Sequence, residues 1–223
     1  MNDSQNHIRS HYVGLMRNTA RSALKAVMEE NGLDWLPKSG SQIRPIPVYE
    51  GNNINLERYV SRKTLSTSIV WPETQSDTYL PGYYKQIRTK SGENRNEVVV
   101  IAENYCYARW IAAKELMHGL IEDDNYPATN SIDLVNQLID ELAAGPHRAS
   151  CAPQTAVDEA AWLGAAYYLI PSTWIPLLKQ MISDIEQQAP DSARDAYLHV
   201  AREIRVPEII LRSVLNNPYY IDY

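Results

Sequence analysis

The reading turns on ARWIAAKELMHGLIED, residues 108–123. Ala, Leu, Met, Glu and Lys dominate it, all good helix formers, and the following EDDNYPATN carries the acids, Asn and Pro that end a helix. A helix over 105–122 is therefore predicted. Residues three and four apart share a helical face, so Glu115 and His118 become neighbours and Lys114 reaches the same histidine from one turn away. Three ionisable groups can then surround one point.

KELMH is one residue short of HExxH. In that motif two histidines one turn apart hold a zinc ion, a third protein ligand comes from another element, and the intervening glutamate is the general base. Here Lys114 stands in the first histidine's place. An ammonium has three donors and no lone pair, and its usual pKa of about 10.4 would have to fall by several units before nitrogen could bind a metal. It also puts positive charge where a dication would sit. ExxH spacing alone equally suits a solvated glutamate and a core histidine.

Outward from this helix, the order of elements is informative. Residues 5–31 repeat apolar positions near the helical period (Ile8, Tyr12, Leu15, Met16, Ala23, Leu24, Val27, Met28) and stop at Asn31-Gly32. From 33 to 82, Pro, Gly, Ser and Asn punctuate short β-favouring pieces, IRPIPVY (43–49) and TSIVW (67–71), which predicts loops and edge strands. YYKQIRT (83–89) and EVVVIAE (97–103) flank KSGENRN as a hairpin would. After the motif helix come SIDLVNQLIDELAAG (131–145), a helix from Thr155 to about Pro171, and another capped by Ser172. Two short helices broken at 205–207 close the chain.

This order, with the segment DEAAWLGAAYYLIP (158–171), resembles the ImmA/IrrE family of metallopeptidase-like proteins. That family runs from an N-terminal helix and a small sheet into a helix of the form FTLAHELGHLLL, then a helix like ExEANxFAAxLLMP whose acidic residue supplies the third zinc ligand. RWIAAKELMHGLI is similar to the first pattern and GAAYYLIP to the second, while HVAREIRVPEIILRSVL is similar to the closing break and Arg/Leu helix. Trp162 stands where the family has Asn, and counting back from Pro171 puts Asp158 and Ala160 at the family's acidic positions with Glu159 between them. That leaves Asp158 or Glu159 to face His118, Asp158 fitting the ungapped count better.

The resemblance implies an α+β fold: a small twisted sheet, a zincin-like motif helix packed on it, and a mainly helical C-terminal half. A zincin-type domain would span 1–171, with 172–223 as a helical extension packed on it. It implies Glu115 as general base and His118 with Asp158 or Glu159 as metal ligands, Lys114 filling the substituted position. His147 is a further histidine that could approach from its loop.

Three functions follow from these residues. One is a zinc-free relative serving as a regulatory or interaction module for a protein partner such as a transcriptional repressor, in bacteria or their mobile elements. The second is an active zinc metallopeptidase with a non-standard ligand set. The third is a DNA-binding regulator using the C-terminal helices, with Arg202, Arg205 and Arg212 on phosphates. The expectation is no resident cofactor, zinc being the alternative.

Composition narrows the field. Over 223 residues the net charge is −6, which disfavours general nucleic-acid binding. Cys106 and Cys151 form no CxxC, the polar start MNDSQNHIRSHYV lacks a signal-peptide core, and AAWLGAAYYLIP (160–171) is about half of the ~20 residues a membrane span needs. A cytoplasmic, soluble protein without a membrane partner is expected. The chain has fifteen Tyr, five Trp and no Phe, so its large rings carry a polar end that wants a partner. Those of 162–174 are read as core, and Cys106 as a buried small hydrophobe.

Overall fold

The structure, a computed structural model, describes residues 3–38, 43–72, 81–102, 104–121, 153–188 and 196–216. The helix predicted over 131–145, His147 and Cys151 lie outside them. The fold is mixed α+β, with seven α-helices and a small three-stranded sheet among the described residues.

Helix α1 (Asp3–Asn31) is followed by a loop, then by α2 (Leu56–Lys63). Strands β1 (Thr67–Val70), β2 (Gly82–Arg88) and β3 (Asn94–Val100) make a sheet in the order β1-β3-β2. β2 and β3 are the expected antiparallel hairpin, turning at Gly92 with φ 87°, a conformation that suits glycine. β1 runs parallel to β3, with Ile69 opposite Val98. The motif helix is α3 (Tyr105–His118), begun by Asn104, whose side chain accepts hydrogen bonds from the Cys106 and Tyr107 amides. Then come α4 (Pro153–Leu169), a 3-10 turn at Ser172–Trp174, α5 (Ile175–Gln188), α6 (Ala196–Glu203) and α7 (Glu208–Asn216).

α3 is the hub. One side lies on β2 and β3, and α4 packs against both α3 and α1. From Ala108 to Met117 every residue except Lys114 is buried. A helix apolar on nearly all sides belongs inside a protein. Small residues let α4 approach closely: a Cβ added to Gly164 would sit 3.0 Å from Met16 Sδ and 3.2 Å from Met117 Cγ. The buried core is continuous from Met16 to Leu215, so residues on both sides of position 171 share it. Tyr168 and Trp174 are buried, as expected of the 162–174 rings, whereas Trp162 and Tyr167 are half-buried.

Two expectations need correction. IRPIPVY forms no strand. Pro45 and Pro47 have no amide hydrogen for a ladder, and the carbonyls of Ile46 and Pro47 are taken by side chains, Arg109 Nη2 at 2.5 Å and the Tyr168 hydroxyl at 2.5 Å. Its Ile43, Ile46 and Val48 are nevertheless buried. Within the predicted loop-and-strand region, LERYVSRK is instead α2, capped by Asn55 accepting from the Arg58 amide at 3.0 Å.

Arg109 ties these parts together. Its side chain is only 1% exposed and its Nε donates to Glu50 Oε1 at 2.6 Å, while Nη1 donates to the Arg205 carbonyl at 2.5 Å. Tyr105 donates to the same Glu50 oxygen at 2.7 Å. Burial works to raise the Glu50 pKa, but the Arg109 charge and the Tyr105 hydroxyl outweigh it and hold the carboxyl low. Glu50→Ala strands the buried guanidinium, and its expected cost is about 3 kcal/mol. Urea denaturation of variant and parent provides the measurement.

Candidate functional site

Lys114, Glu115 and His118 project from the last turns of α3 towards the start of α4. Asp158 meets them there, at the head of a helical stripe continued by Ala161, Ala165 and Tyr168, all fully buried. Lys114 Nζ lies 2.5 Å from Asp158 Oδ1 and 3.4 Å from Glu115 Oε1. His118 Nε2 is 3.4 Å from the same Asp158 oxygen and 3.9 Å from Glu115 Oε2. The four residues named from the motif patterns thus converge on one point.

Of the two acids left open by the sequence, Asp158 is the one that bonds Lys114 and faces His118. Glu159 is one step of about 100° further around the helix and is half-buried. The expected approach of Lys114 to His118 across one turn takes an indirect form, since both side chains converge on Asp158.

The Glu115 side chain is 7% exposed and that of Lys114 22%. Glu115 stands beside the first residue of β2: a Cβ placed on Gly82 would lie 3.7 Å from Glu115 Cγ and 2.8 Å from the Val99 carbonyl oxygen, so this strand must begin with glycine for the helix to come so near.

Burial lowers the Lys114 pKa, but the neighbouring Glu115 and Asp158 charges outweigh it, and the pKa is raised. The amine is therefore an ammonium at neutral pH, unsuited to act as a base or nucleophile. For Asp158, burial raises the pKa, whereas the His118 contact and the Lys114 charge act more strongly in the other direction and hold it at about 2. Its side chain is 58% exposed, so solvent screening reduces what the pairing contributes to stability.

A metal does not fit this donor set. Zinc in a catalytic site takes three protein ligands with lone pairs. Here His118 and Asp158 are two, and the third place holds a protonated amine bonded to Asp158 itself. Among the described residues no group of three or more His, Cys, Asp or Glu is arranged to hold a metal ion.

The other sequence candidates lie elsewhere. Arg212 donates to Glu208 at 2.7 Å and stacks 3.9 Å over the Tyr197 ring. Arg205, at φ 56°, donates to the Tyr105 hydroxyl at 3.2 Å, and Arg202 is exposed. Cys106 is half-buried, not buried as expected; burial is the largest influence on its thiol and raises its pKa above the usual value, outweighing three nearby arginines.

No protein-family model matches the sequence, nor does any curated protein. No helix among the described residues is long and apolar enough to cross a membrane.

The site makes a testable statement about acid. The Asp158 pKa is depressed in the folded protein, so its stabilising effect is complete above the ordinary value of 3.8 and disappears as pH falls towards about 2. In Lys114→Met the Asp158 carboxyl should titrate higher, read by carboxyl-carbon NMR. The variant should lose about 1–3 kcal/mol at neutral pH, less than a fully buried pair would cost because Asp158 meets solvent. That deficit should shrink through the same acid window.

Proposed function

We propose that this chain is an ImmA/IrrE-like protein with a zincin-like core in which Lys114 takes the place of the metal. It has lost peptidase activity and serves as a regulatory or interaction module in transcriptional control, engaging a protein partner of the repressor type. The observation that carries this reading is the Lys114 ammonium 2.5 Å from Asp158 and 3.4 Å from Glu115, beside His118. A single positive charge stands among the general-base, ligand and acidic positions that the family resemblance assigns. Lysine supplies beside Asp158 the counter-charge that zinc would otherwise bring, and with His118 it holds that carboxyl at about 2.

Hydrolysis through this cluster lacks its parts. A metal-bound water loses its proton near pH 7 because a dication holds it; an ammonium donates hydrogen bonds but does not generate hydroxide in that way. Glu115 then has no activated water to deprotonate, and its carboxylate serves Lys114. The arginines of the C-terminal helices favour the interaction role over DNA binding, since Arg212 and Arg205 hold Glu208 and Tyr105.

Restoring the histidine tests the reading. Protein purified without chelator and equilibrated with zinc should hold none above background, while Lys114→His should retain stoichiometric zinc that the added substitution His118→Ala removes. Metal analysis by mass spectrometry gives the answer. Stoichiometric zinc in the parent protein, lost in His118→Ala alone, would establish the metallopeptidase alternative instead.

A further inference from the structure

A second site lies at the other end of α4. Tyr167 is nine residues beyond Asp158, roughly 14 Å along the helix axis at 1.5 Å per residue. There α1, the loop after it and the turn after α4 enclose an open cavity of about 210 Å3. Its lining includes Arg17, Arg21 and Lys25 from α1, with Trp35, Tyr167 and Ser172.

The three cations follow one another at four-residue spacing, so each faces the next along one side of α1. Like charges at that spacing repel and weaken a helix. Lys25 has partial relief from Glu29, at 3.9 Å. Arg17 donates to the Tyr167 hydroxyl at 3.3 Å and lies 5.5 Å from the centroid of that ring. Arg21 has no acidic partner among the described residues. This positive row occurs on a chain of net charge −6, and it faces a concavity with two aromatic walls. A hydrogen bond from the Thr173 hydroxyl to the Trp35 carbonyl, 2.8 Å, pins one of those walls to the turn after α4.

We infer that this cavity binds a small aromatic phosphate monoester. A phosphate dianion supplies the acidic partner that Arg21 lacks among the described residues and matches the planar fork of arginine, which recognises phosphate oxygens in pairs. Trp35 offers a face on which a ring can stack, and Tyr167 lines the cavity beside it. The volume suits one ring with its phosphate, being somewhat larger than the ~150 Å3 cavity that admits benzene. The site is independent of the Lys114 cluster and of the role proposed for it.

Isothermal titration calorimetry with phenyl phosphate as probe tests the inference on the full chain. Phenyl phosphate should bind about tenfold more tightly than inorganic phosphate, and phenol alone should bind weakly, since neither charge nor ring suffices. Arg21→Gln, at an exposed position where the fold is unaffected, should weaken phenyl phosphate about tenfold with an unchanged melting temperature. Trp35→Ala should remove the advantage of phenyl over inorganic phosphate. Absence of saturable binding, equal binding of the two phosphates, or indifference to Arg21→Gln would each overturn the assignment. Tighter binding of a phosphotyrosine peptide than of phenyl phosphate would also overturn it, in favour of a protein ligand.

Discussion

The ion pair between Lys114 and Asp158 joins the two helices on which the rest of the site depends. It is short because the helices are close, and they are close because Gly164, Ala161 and Ala165 leave room for Met117 and its neighbours. Removing charges from water is costly, and two carboxylates near one another resist ionisation unless a cation stands between them. Lys114 is that cation for Glu115 and Asp158. A neutral residue at position 114 would leave an almost fully buried glutamate next to a second acid with no counter-charge.

The same helix carries another buried charge with a different task. Arg109 precedes Lys114 by five residues, a rotation of about 140°, so the two point to well-separated sides of α3. Arg109 bonds carbonyl groups at positions 46, 204 and 205 and the Glu50 carboxylate, filling its donors with backbone that has no ladder of its own. One side of the hub therefore fastens the irregular segment before α2 and the break between α6 and α7. The other side presents the Lys114 cluster at its partly exposed end. A cluster on a helix locked in this manner has its geometry set by the fold.

Much of this arrangement could be read from residue order. The hairpin followed by α3 was marked by two β-favouring runs, a turn-rich link and a stretch of helix formers, and burial of Val98 to Val100 agrees with that reading. Counting back from Pro171 without a gap favoured Asp158 and left Glu159 open; what decides between them is how α4 rolls against α3, a property of packing. α2 escaped because it is only eight residues long, below the length at which periodicity speaks, though Asn55 before it, Glu57 in its first turn and Arg62-Lys63 in its last were proper end signals. IRPIPVY misled because its β-branched residues are buried while its prolines forbid pairing. The Arg17, Arg21, Lys25 row was not singled out in the sequence, since four-residue spacing of cations marks no site until the tertiary fold brings Trp35 and Tyr167 beside it.

What distinguishes a retained cluster from a decaying one is whether its charges still balance. When a metal site loses a ligand without compensation, the remaining acids carry uncompensated charge and the cost falls on stability, so protonation or outward rotation of the acids relieves it. Here Glu115 is buried, the His118 contact and the Lys114 charge hold the Asp158 pKa at about 2, and the amine has its own pKa raised. Lysine at position 114 completes an electrostatic unit of its own, with hydrogen bonds running from one ammonium to two carboxylates on different helices. That unit ties α3 to α4 where the Asp158 side chain meets solvent.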